Sequence, residues 1–362
     1  MKFVCLFVTF FYTTTYGQKI NSEKVNTSAA QAYINIATKI QSGDSANSIK
    51  WSKLFSTLPY QMMIQGGAID TTTFKSDMLT VFSPSYLENN SLQNERQFYH
   101  YEYKKILSVL EGYVKRLDST DVVDSVKKLL YPFLPQRLQL TELFPKLFYL
   151  YYGTPDATGM SGLVLNDLLL SYKIDNYKFG ALTSHEAFHA IVSVAFQQKL
   201  KENINSNSLE FNLLYFMENI SEEGIADLID KTILGQKNSP VYETVNKLRN
   251  NDSTLSIVYI KRIDSLLTIT NTSDSLLNKY SSFAALSNHF GKNGGHIPGR
   301  FMALVIKEGR VLNAKIQSVE DPIAFFLNYN QAVIKLKKKK YPVFSDASVS
   351  YLKKLKNKML KK

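Results

Sequence analysis

Cysteine is nearly missing from this chain, and Cys5 is the only one in 362 residues. It sits inside a near-continuous apolar run, Phe3 to Tyr12, preceded by Lys2 and followed by small polar residues and Gly17. That is the layout of a secretory signal peptide, with cleavage expected near Gly17–Gln18. The mature protein would then have no cysteine at all. That excludes disulfides in any compartment and leaves only nitrogen and oxygen ligands for a metal. Long apolar runs are missing as well. The leader is too short to span a bilayer and nothing after it is long enough, so a soluble, secreted or periplasmic protein is expected.

Basic residues are scarce where a nucleic-acid binder would need them. The net charge is +12, yet residues 335–362 hold eleven lysines against one acid, Asp346. The rest of the chain is close to neutral and offers no basic face to a polyanion, so nucleic acid is excluded as a partner. Tyr351, Leu352, Leu355, Met359 and Leu360 recur at helical spacing among these lysines, which predicts an amphipathic final helix. It either docks on the core with a solvated lysine face or touches an anionic surface.

What is present reads first as helix. Segments 28–41, 49–65, 94–117 and 119–131 have periodic apolar positions, and Pro132 and Pro135 mark a boundary near residue 140. The pattern then changes. "KLFYLYYG" (146–153) suits a strand, and "TPDATGMSG" is turn-like. "LVLNDLLLSY" (163–172) fits either a returning strand or a helix. Helices are expected over 183–201, 209–234, 240–267 and 273–289, with "GKNGGHIPG" as a loop before a helical "RFMALVIKEG". The expected organisation is a signal peptide (1–17), an N-terminal helical region (18–140), a catalytic region (141–334) and a lysine-rich tail (335–362).

Histidine is scarce too, with five in all, and two of them stand four apart in "SHEAFHA". A shuffled chain would spell HExxH only about a few times per thousand. On a helix His185 and His189 share one face and could direct two imidazoles at one Zn²⁺, with Glu186 beside the metal's water. The competing reading is a capping box, in which Glu186 only satisfies the first backbone N–H groups of a helix opening at Thr183. A catalytic zinc usually takes three protein ligands. "MENISEEGIADLID" offers Glu223, with Asp227 one turn on to fix the tautomer of a ligand imidazole. Glu222 and Glu218 are alternatives to Glu223. Gly224 makes sense beside a ligand if two helices must approach closely. For the donor to a developing oxyanion, His296 is the first candidate, with Arg300 and Tyr280 behind it. His100 and His289 are assigned ordinary packing.

HExxH followed by a glutamate in an "EGxAD" context resembles the gluzincin metallopeptidases. The chain is also similar to a secreted domain-of-unknown-function family described as zinc-dependent peptidases. That closer likeness rests on "SHEAFHA", "SEEGIADLI", "GGHIPGRFMALVIKEG" and "YPVFSDASVSYLKKL". The resemblance implies an α+β, mostly helical fold, whose zincin-like core has a small sheet beside the HExxH helix. It implies His185, His189 and Glu223 as zinc ligands, Glu186 as general base, Asp227 behind them and a peptide or protein substrate. The spacing departs from compact gluzincins, with thirty-three residues between His189 and Glu223. The reading from another class is a non-catalytic helical protein of the cell envelope with a structural or vestigial zinc site.

Overall fold

A computed structural model describes residues 24–44, 48–85, 92–160, 162–205, 208–272, 282, 285–286, 295–311, 319–337 and 340–359. The leader, Tyr280, His289 and most of the helix expected over 273–289 lie outside them.

Seven helices make up most of the N-terminal part: α1 (Ser28–Gln41), α2 (Ser48–Phe55), α3 (Leu58–Gln65), α4 (Thr71–Phe82), α5 (Glu95–Lys105), α6 (Leu107–Ser119) and α7 (Val122–Leu130). Two expected long helices are each divided. The 49–65 segment breaks before Pro59, which suits only a first helical turn, and the 94–117 segment breaks at Ile106. The helix α4 was not expected from its threonine-rich start. Asp70 makes it possible by accepting the Thr73 N–H at 2.7 Å, and Phe74, Met78, Val81 and Phe82 are buried. These helices enclose an aromatic cluster in which the His100 ring stacks on Tyr151 at 4.3 Å and accepts or donates a 2.7 Å bond with the Tyr33 hydroxyl.

The two-residue strand β1 (Val25–Asn26) precedes these helices, and three strands follow the pattern change near residue 146: β2 (Lys146–Leu150), β3 (Ala157–Met160) and β4 (Leu163–Asp167). They lie in the order β1-β2-β4-β3, parallel except for β3, which runs antiparallel to β4. All but the first residue of β2 and of β4 is buried, which is why β2 and the first part of β4 lack an alternating polar face; the polar end of β4, Asn166 and Asp167, is buried too and hydrogen-bonded. The turn-like "TPDATGMSG" contains β3, an edge strand. "LVLNDLLLSY" is both of its alternatives, because Asp167 ends β4 and caps α8 (Leu168–Asp175) by accepting the Leu170 N–H at 2.9 Å.

The remaining described helices are α9 (Ala181–Asn203), α10 (Leu209–Ile229), the short α11 (Lys231–Leu234), α12 (Tyr242–Thr272), α13 (His296–Glu308), α14 (Pro322–Leu336) and α15 (Asp346–Met359). The fold is therefore mostly helical with one small mixed sheet, and the edge strand β3 lies along α9. A Cβ on Gly159 would stand 1.8 Å from the Glu186 carbonyl oxygen, so only glycine lets strand and helix touch there. The final helix α15 buries Tyr351, Leu352, Leu355 and Met359 against the core and leaves Lys353 and Lys354 exposed. Among the described residues no helix is long and apolar enough to cross a membrane.

Candidate metal centre

The helix carrying HEAFH starts at Ala181, three residues before Ser184, where a capping box with Thr183 as its cap would start it. Ser184 is already inside, with its hydroxyl bonded to the Gly180 carbonyl at 2.6 Å. Glu186 is therefore free of any capping duty. Its carboxylate lies 4.0 Å from His185 Nε2.

His185 and His189 converge as the i, i+4 spacing requires, with their Nε2 atoms 3.1 Å apart. Helix α10 brings Glu223 to the same point. Its Oε2 lies 3.6 Å from His185 Nε2 and 3.3 Å from His189 Nε2. Atoms bound at zinc's usual 2.0–2.1 Å on a tetrahedron stand about 3.3 Å from each other, so the three separations fit a Zn²⁺ held between them. The chemistry of Glu223 Oε2 agrees. It is buried and accepts no well-aligned hydrogen bond, although three imidazole nitrogens surround it. An oxygen so placed is aimed at a shared cation rather than at any one N–H.

Each of the three groups has a charged neighbour behind it. His185 Nδ1 bonds Asp230 Oδ1 at 3.0 Å, while Asp227 stands 3.9 Å away. The partner expected at Asp227 is thus Asp230, one turn further on, where α10 ends and its carboxylate swings under the imidazole. His189 Nδ1 lies 3.1 Å from Glu222 Oε1, close but without the alignment of a hydrogen bond, so the glutamate adjacent to Glu223 stands beside the Nδ1 edge of the second imidazole. Glu218 sits a turn behind and bonds Ser221, outside the group. His296 Nδ1 meets Glu223 Oε2 at 3.0 Å and Asp227 Oδ1 at 3.5 Å. His296 is not in a loop. It is the first residue of α13, since Pro298 is tolerated within a first turn. Arg300, one turn later, is buried and forms no ion pair with Glu223 or Asp227.

The buried carboxylates favour positive charge on the imidazoles around them. Burial pulls the His185 pKa down, but the Asp230 charge overrides it and carries the value up to about 10. His189 is likewise raised, against burial, by Glu223 and Glu222. Burial pushes Glu223 up, and the charges of His296 and His189 bring it well below the usual carboxylate range. A second acidic group, His185 with Asp227 and Asp230, could also hold a metal on geometry alone. It already has its cation, because the Lys231 ammonium pairs with Asp230.

Asp230 and Lys231 had no role in the sequence reading. Their signal was available: Glu218, Glu222, Asp227 and Asp230 recur at spacings of three to five on a helix otherwise full of buried apolar residues. Acids on the inner face of such a helix must be paired or coordinated.

Two imidazoles of an HExxH helix and a carboxylate from α10, with a further glutamate beside them, form a group that could hold a metal ion. Residues 51–338 match the family described as "Putative zinc dependent peptidase (DUF5700)", and the chain belongs to that family. No curated protein and no solved structure matches it.

Proposed function

We propose that the chain is a secreted or periplasmic zinc peptidase with a zincin-like core. The observation that carries this reading is the convergence of His185 Nε2, His189 Nε2 and Glu223 Oε2 within 4.8 Å of one another, beside the carboxylate of Glu186. His185, His189 and Glu223 would hold the metal, which when bound supplies Lewis acidity and makes a water nucleophilic near neutral pH. Asp230, bonded to His185 Nδ1, and the negative charge of Glu222 beside His189 Nδ1 would favour a proton on each Nδ1, so that each Nε2 presents its lone pair.

Glu186 takes the proton of the attacking water and delivers it to the departing amine, so the hydrolysis is proton-neutral overall. His296 directs Nδ1 at Glu223 and Asp227, which leaves Nε2, on the opposite edge of its half-exposed ring, as the donor to a developing oxyanion. The edge strand β3 bounds the helix on this side. An extended peptide added to its free edge would be held by backbone bonds.

The test is elemental analysis of the mature protein (residues 18–362) beside His189→Ala and Glu186→Gln, followed by cleavage of unfolded protein substrates. The reading expects one zinc per chain, lost in His189→Ala. In Glu186→Gln zinc is retained and the rate falls by about 10²–10⁴. Zinc bound but equal activity in Glu186→Gln would leave a structural site and overturn catalysis.

A further inference from the structure

The lysine excess of residues 335–362 divides in two. Lys356 pairs with Asp321 and Lys358 with Glu210, on the docked helix α15. Lys335 and Lys337 instead stand exposed at the end of α14, and Lys335 Nζ donates to the Arg310 carbonyl at 3.3 Å. Gly309 packs on Ala332, which brings exposed Lys307 and Arg310, at the end of α13, to the same place. Lys340 joins them. Its neighbour Tyr341 meets the Phe301 ring at 5.3 Å, and Tyr329 donates to the Pro342 carbonyl at 2.9 Å, folding this stretch back onto α13 and α14. Glu308 is the acid among these cations.

Two aliphatic side chains protrude here as well. Ile334 is 59% exposed, more than any other large hydrophobic of the described residues, and Val343 is 47% exposed. The Phe344 N–H, next to Val343, donates to Asn330 Oδ1 at 2.8 Å, and Asn330 lies one helical turn before Ile334 on α14.

We propose that this end of the molecule docks on an anionic lipid bilayer. Lys307, Arg310, Lys335, Lys337 and Lys340 would face the headgroups, and Ile334 and Val343 would enter the acyl boundary. A soluble polyanion would use the cations alone and leave both aliphatics in water, so the apolar pair favours lipid. The helix α13 connects this face with the metal centre. At 1.5 Å per residue Lys307 lies about 17 Å from His296, so docking leaves the catalytic side uncovered.

The experiment is co-sedimentation of the full chain with phosphatidylcholine vesicles and with vesicles containing about one-third phosphatidylglycerol. Binding is expected only to the second, weakening as salt is added. Each cation removed should lower partitioning about fivefold, so K335E/K337E/K340E should lose it by more than a hundredfold. Ile334→Ser should weaken binding with the salt dependence unchanged. All four side chains are exposed, and unchanged melting temperature and zinc content would show that the variants fold.

Equal binding to both vesicle types would mean attachment through other apolar sequence, such as the leader, and would overturn the proposal. So would no binding, or binding unchanged in the triple variant. Complete displacement by soluble polyphosphate, with no effect of Ile334→Ser, would assign the face to a soluble polyanion instead.

Discussion

Gly224 and Gly299 meet backbone to backbone where α10 crosses α13. A Cβ on Gly224 would stand 2.4 Å from the Gly299 carbonyl oxygen, and one on Gly299 would stand 2.1 Å from that of Ile220. Glu223 is adjacent to the first glycine, and His296 lies one turn before the second. The closeness of these helices is what lets His296 Nδ1 reach Glu223 at 3.0 Å. Either glycine changed to alanine must push the helices apart, at a cost of about 1–3 kcal/mol or more. Zinc affinity should fall with it. Denaturant unfolding with and without zinc would check this, and a Gly224→Ala protein with normal stability and metal content would disprove the crossing.

The partners behind the imidazoles should matter almost as much as the ligands. Glu222→Gln and Asp230→Asn are each expected to reduce zinc affinity by about 10–100-fold. Activity should return when zinc is added in excess. Glu223→Gln should not be rescued in this way. Competition titration with a chelator separates the three variants.

Metal binding should release protons. In the metal-free site His185, at about 10, and His189, raised well above its ordinary value, both carry a proton at pH 7. Both must be lost for Nε2 to bind a metal, so zinc affinity rises with pH across the neutral range. The slope approaches a hundredfold per pH unit when two protons leave. Calorimetry in two buffers of different ionisation heat at pH 7 gives the number directly. A release near zero would mean that both imidazoles are already neutral at pH 7 before zinc binds.

His100 should make the fold acid-sensitive. Burial, and then the charge of Arg96, lowers its pKa to about 3. Below its ordinary value of about 6.5 the unfolded chain takes up a proton that the folded chain refuses. The neutral ring's contribution is therefore complete above that pH. It is lost, at about 1.4 kcal/mol per unit, as pH falls towards 3. His100→Phe leaves the Tyr33 hydroxyl unpaired and should cost about 1–3 kcal/mol at pH 7. The gap to wild type should close near pH 5, read by urea unfolding at several pH values. A gap independent of pH would rule out a neutral buried His100.

Spacing along one helix was legible in the sequence. His185, Glu186 and His189 stand where a 3.6-residue period puts them, and the amphipathic final helix docks by the face its apolar residues mark. The breaks at Ile106 and before Pro59 were harder to see, since an apolar period continues across them. The start of α13 at His296 was hidden by glycines that resemble a loop, and β3 was hidden because "TPDATGMSG" reads as turns.

The sequence by itself determined which residues could reach a metal, because side chains three or four apart on a helix share a face whatever surrounds them. The tertiary structure alone decided that Asp230 rather than Asp227 bonds His185, that Glu222 stands beside His189, and that His296 stands against Glu223. Those pairings join residues far apart in the chain. They depend on how α9, α10 and α13 are rotated and pressed together, and that is set by the packing of the whole core rather than by any local period.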